Sequence, residues 1–123
     1  MNATRWLLGA VFLVLTATAD AHAHLTASVP ADGSSGNAPE QIVLSFSEAA
    51  RLTALTLERQ GEEPRKISSL PTTAASRVTV PMPKLAAGAY RLTWRALGAD
   101  GHVTSGTLHF TVAEAAKVGE GGR

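Results

Sequence analysis

Apolar and polar side chains alternate with a period of two along most of this chain. Ile42, Leu44 and Phe46 stand against Val43 and Ser45, and Leu55 and Leu57 lie between Ala54, Thr56 and Glu58. Val78, Val80 and Met82 alternate with Thr79 and Pro81, while Tyr90, Leu92 and Trp94 alternate with Arg91, Thr93 and Arg95. Leu108, Phe110 and Val112 alternate with Thr107, His109 and Thr111. This is the pattern of strands with one buried face. Turn formers separate the runs: Pro30-Ala-Asp-Gly33, Gly36-Asn-Ala-Pro39, Gln60-Gly61, Pro71, Ala87-Gly88 and Gly98-Ala-Asp-Gly101. With a first strand over Leu25 to Val29, the spacing predicts about seven short strands in an antiparallel two-sheet sandwich with Greek-key connections. Only Ser47-Glu-Ala-Ala50 reads as a helical turn, and no repeat or long linker interrupts the pattern.

The first residues break this pattern. A short basic start ending at Arg5 is followed by the apolar run Trp6 to Leu15 and then by Thr-Ala-Thr-Ala-Asp-Ala21. That is the form of a secretory signal peptide, with Ala19 and Ala21 at the −3 and −1 positions of the cleavage site. An uncleaved anchor is the alternative, but the apolar run is far shorter than the roughly 20 residues that span a bilayer. The expected division is therefore a signal peptide over 1–21, one folded domain over 22–113, and a flexible Gly- and charge-rich tail over 114–123. Removing 1–21 leaves 102 of the 123 residues, enough for one real core.

Composition narrows the chemistry. Cleavage takes away Arg5 and Asp20, which leaves 10 basic and 9 acidic side chains. A net charge of +1 points to neither nucleic acid nor an acidic membrane surface. The chain has no cysteine, so disulfide staples and thiolate metal sites are excluded. Of two methionines, Met1 leaves with the signal and Met82 stands alone, which argues against soft sulfur ligation of Cu(I).

What remains is histidine and aspartate. Cleavage after Ala21 makes His22 the first residue, with its α-amine and ring Nδ1 placed to close one chelate ring on a metal ion. Asp100-Gly101-His102 can aim a carboxylate oxygen and an imidazole at a common point, because glycine lets the backbone turn sharply between them. Alone, that tripeptide is a weak signal that occurs often by chance, and an ordinary turn with a solvated histidine explains it. Together with His22 it gives three nitrogens and one oxygen, a set suited to tetragonal Cu(II), which also heads the Irving–Williams order.

These residues carry a family resemblance. The start His22-Ala-His24-Leu25-Thr-Ala-Ser28-Val29-Pro30-Ala31-Asp32-Gly33 resembles the CopC-type periplasmic copper-resistance proteins. So do Ile42-Val-Leu-Ser-Phe46-Ser47-Glu48, Leu85-Ala-Ala-Gly88-Ala-Tyr90-Arg-Leu-Thr-Trp94-Arg-Ala, and Asp100-Gly101-His102 followed by Gly106. The resemblance covers essentially the whole mature chain in order. It implies a seven-stranded antiparallel Greek-key β-sandwich or barrel of immunoglobulin-like type. It also implies a mature start at His22 and one Cu(II) per chain held by His22, Asp100 and His102. Some members carry a Met- and His-rich loop for Cu(I), but here Leu52 to Pro71 contains neither residue. The family also occurs fused to a CopD-type inner-membrane copper transporter, which makes such a transporter an expected partner.

Other histidines and aromatics have plainer readings. His24 could complete a local Cu(II) chelate with the amine and two ionised amides, or stand outside the ligand set. His109 has the polar parity of its strand and is expected to face solvent. Tyr90 and Trp94 share the apolar parity of Leu92, so core packing is expected, with Trp94 near the end of the sheets. Asp32 is explained by its turn. Glu48 reads either as a surface charge or as a partner of a ligand histidine. The leading function is an exported periplasmic copper carrier or buffer that is not an enzyme. The rivals are an N-terminal-histidine copper monooxygenase and a metal-free interaction sandwich. With a carboxylate among the ligands and only six aromatics, two of them in the signal, the first rival lacks open positions and a substrate surface.

Overall fold

The computed structural model describes residues 22–114; residues 1–21, where a signal peptide is expected, and residues 115–123 of the expected tail lie outside the described residues. Seven strands follow in order: β1 (Leu25–Val29), β2 (Ser34–Gly36), β3 (Gln41–Arg59), β4 (Arg65–Lys66), β5 (Ala75–Pro81), β6 (Gly88–Gly98) and β7 (Val103–Val112). They form one curled sheet in the order β1-β3-β6-β7-β2, with β4 and β5 also paired to β3. Every pairing is antiparallel except β2 with β7, which runs parallel, so the expected all-antiparallel sheet is in fact mixed. The exception arises because only a short turn separates β1 from β2. Asp32 accepts the His109 amide through Oδ1 at 2.8 Å, and the Gly33 amide donates to the His109 carbonyl. Asp32 thus ties this turn to β7, a role its turn propensity did not reveal.

The alternating residues turn inward as their period requires. Ile42, Leu44, Val80 and Leu92 are wholly buried, and Phe46, Leu52, Leu55, Leu57, Trp94, Leu108, Phe110 and Val112 complete one core. Arg91, Thr93 and Arg95 form an exposed face, with Arg91 Nη2 donating to Glu58 at 2.6 Å. Tyr90 stacks on Phe110 with centroids 5.4 Å apart and donates its hydroxyl to the Ala86 carbonyl.

The expected helical turn at Ser47–Ala50 is absent. β3 passes straight through it and serves both halves of the barrel, pairing with β1 and β5 through its first part and with β6 through its second. A bulge between Leu52 and Ala54 switches the inward parity from even to odd positions, so that Leu52 and Leu55 both face the core. Trp94 packs edge-on against Phe46, with centroids 5.3 Å apart, and its indole covers Gly106 on the neighbouring strand. A Cβ at residue 106 would lie 2.8 Å from the ring, which is why glycine stands there.

Candidate metal centre

The β6–β7 connection is a tight turn at one end of the barrel. The Gly98 amide donates to the His102 carbonyl at 2.9 Å and the Gly101 amide to the Gly98 carbonyl at 3.0 Å. Gly101 has φ of +85°, a left-handed conformation that side chains resist. Within this turn the His102 amide donates to Asp100 Oδ1 at 3.0 Å, which locks the carboxylate. The other oxygen, Oδ2, lies 3.0 Å from His102 Nδ1 and 3.0 Å from His22 Nδ1. A carboxylate can only accept, so both rings donate to it.

His22 arrives from the other end of the sequence, 78 residues away. It belongs to a short arm ahead of β1. Ala23 points inward and joins the core at 1% exposure, while His22 and His24 point the opposite way. Ser47 of β3 and Thr104 of β7 hold the arm by its backbone. The His24 amide donates to Ser47 Oγ at 2.9 Å, the Ser47 amide donates to the His24 carbonyl at 2.7 Å, and Thr104 Oγ1 donates to the Ala23 carbonyl at 3.1 Å.

One donor atom each from His22, Asp100 and His102 lies within 4.8 Å of the others, and among the described residues no other group of His, Cys, Asp or Glu converges in this way. The cluster is open to solvent, with the His102 side chain 65% exposed. The Asp100 carboxyl is held below the usual carboxylate range. The largest cause is the His102 amide, which with the hydrogen bonds of the two imidazoles outweighs the opposing effect of desolvation. The site is therefore a preformed anion flanked by two imidazoles, and two nitrogens and one oxygen suit a borderline divalent metal such as copper. A cation at that point would replace the two protons that the rings share with Oδ2.

The structure brings together the three residues singled out from sequence and leaves others apart. The His24 ring stands with its centroid 6.5 Å from that of His22 and is not in the cluster. His109 is exposed on the outer face of β7. Trp94 lies in the core, and Glu48 is exposed. Sequence reasoning missed Ser47 and Thr104. The pairing of Leu25 with Phe46 would have found Ser47, since one further step along that ladder sets it beside His24.

Fold and site together define a small β-barrel domain with a candidate nitrogen–oxygen metal centre at its mouth. The chain belongs to the CopC family, whose domain model matches residues 25–113. It is 32% identical to copper resistance protein C of Pseudomonas syringae pv. tomato, over 91% of this chain and 98% of that protein. It is 34% identical to copper resistance protein C of Escherichia coli, over 86% and 93% respectively. The crystal structure of PcoC from Escherichia coli, described as a methionine-rich copper resistance protein, matches with a TM-score of 0.56 and 35% identity, covering 75% of this chain and 99% of that one. The fold also matches CopC from Methylosinus trichosporium OB3b, with a TM-score of 0.63 at 22% identity, over 76% and 95%. Unlike a methionine-rich relative, this chain has two methionines in 123 residues, and Met82 packs half-buried against the core.

Proposed function

We propose that the mature chain is an exported, periplasmic copper carrier or buffer. It holds one Cu(II) through the α-amine and Nδ1 of His22, the Asp100 carboxylate and the His102 imidazole. The observation that carries this is the convergence of three donor atoms, drawn from opposite ends of the sequence, within 4.8 Å. Membership of a family whose relatives are named copper resistance protein C supports copper as the cargo. Nitrogen and oxygen donors without thioether favour Cu(II) over Cu(I).

The local chelate of His22-Ala23-His24 is disfavoured. It needs ionised amides, and the His24 amide is already spent on Ser47 Oγ. A binding role rather than catalysis follows from the ligand count, because Asp100 occupies a position that oxygen chemistry would need open. An inner-membrane transporter of CopD type is the proposed partner.

Intact mass and N-terminal sequencing of the exported protein, with and without Cu(II), test this reading. The expected result is a chain starting at His22 with one copper bound. A start at Ala23 or His24, or an intact leader, removes the amine chelate and overturns it. Asp100→Asn and His102→Phe should each weaken binding and change the Cu(II) electron paramagnetic resonance spectrum. If both leave affinity and spectrum unchanged while His24→Ala abolishes binding, the local chelate is correct.

A further inference from the structure

The arm that carries His22 has no strand of its own, yet its position is fixed. We propose that Ser47 and Thr104 are positioning residues of the copper centre, which set the place of His22 by clamping the backbone of the arm from two sides. The inference rests on the proposed Cu(II) site and adds the part of the chain that assembles it.

Three observations carry it. The clamps come from different strands: Ser47 from β3 exchanges hydrogen bonds with both backbone groups of His24, and Thr104 from β7 donates to the Ala23 carbonyl. Ser47 Oγ also lies 3.4 Å from the His22 carbonyl. Between the clamps, the Ala23 side chain sits in a socket beside Gly98, where a Cβ on residue 98 would be 3.7 Å from Ala23 Cβ and 3.0 Å from Asp100 Oδ1. The socket therefore borders the anionic ligand itself, and it admits a small residue at position 23.

Physically, a free amino-terminal histidine is a poor ligand partner for a distant loop. Two residues of unstructured chain sample many conformations, and binding would have to freeze them. The clamps make that ordering part of folding instead. With Ala23 buried between the clamps and the histidines on either side of it left accessible, His22 Nδ1 comes to lie 3.0 Å from Asp100 Oδ2. Both hydroxyls bond backbone atoms of the arm, and through it they act on His22.

The test uses the exported mature chain and five variants. Ser47→Ala and Thr104→Val should each weaken Cu(II) about tenfold, and the double variant about 100-fold, the range seen when supports of ligands are removed. Each should also alter the Cu(II) electron paramagnetic resonance spectrum. Thr104→Ser keeps the hydroxyl and should restore both affinity and spectrum. Ala23→Leu, too large for the socket, should lose affinity with Ser47 and Thr104 intact. In the copper-free protein, exchange of the His24 amide should speed up in Ser47→Ala, while the global unfolding midpoint stays near that of the parent.

Wild-type affinity and spectrum in both hydroxyl variants, alongside loss in Asp100→Asn and His102→Phe, would overturn the clamp and leave the proposed function standing. Faster amide exchange without loss of affinity would also overturn it, because the tether would then not serve the centre. If the parent binds no Cu(II), or the Asp100 and His102 variants bind normally, the proposed function fails and takes this inference with it.

Discussion

At the scale of single residues, Asp100 does most with least. One oxygen holds the turn through the His102 amide, and the other faces two imidazoles. Its carboxyl is held below its ordinary value, so the unfolded chain takes up a proton at higher pH than the folded one does. The contribution to stability is complete above the unfolded pKa of about 3.9 and is lost as pH falls through the lower, native value. Urea unfolding of the copper-free protein at a series of pH values below about 5 should show this loss in the parent and not in Asp100→Asn. An equal acid response in both chains would place the loss elsewhere. Copper binding should respond to pH in the same direction for a different reason. Every nitrogen donor must be unprotonated to bind, so Cu(II) affinity should fall on acidification through the neutral and mildly acidic range. Competition titrations at two pH values, with copper in each oxidation state, check this and the preference for Cu(II). A pH-independent affinity, or Cu(I) held as tightly, contradicts the donor set.

At the scale of elements, the period-two signal predicted where strands run and which face they bury, because burial on one face imposes it directly. It did not predict β3 as a single strand. Ser47, Glu48 and Ala49 are all exposed where the strand passes from one half of the barrel to the other, and with no apolar beat they read as a turn. The Thr53 bulge has no sequence mark of its own. The parallel pairing of β2 is equally silent, since its three residues, Ser34 to Gly36, carry no alternation. Within the candidate centre, Asp100 and His102 were legible through the family resemblance, since the Asp-Gly-His tripeptide alone is a weak local signal. Ser47 and Thr104 were not, because one hydroxyl in a strand is ordinary and gains meaning only from the arm it meets. The β6–β7 pair offers a sharper check. Gly106→Val places a branched side chain where the Trp94 indole already lies 2.8 Å from a Cβ. Overpacking of this kind should cost about 1–3 kcal/mol. Leu92→Ala, which empties a wholly buried site, should cost about 2–5 kcal/mol. Denaturant midpoints at constant slope measure both.

At the scale of the whole molecule, no disulfide staples the barrel, since the chain contains no cysteine. The candidate centre changes that account. His22 and Asp100 are 78 residues apart, so an ion bound between them closes almost the entire domain into a loop. In the unfolded chain these donors are scattered along 78 residues and form no site, so the ion binds the folded state alone and draws the equilibrium toward it. With free Cu(II) at about 100 times its dissociation constant, linkage adds about 2.7 kcal/mol, a rise in melting temperature of order 10–20 °C for a domain of this size. Calorimetric scans with and without the ion, and with Asp100→Asn as the control that should respond less, measure it. The chain would then be most resistant to unfolding and proteolysis while loaded, and loosest once its cargo has been handed on.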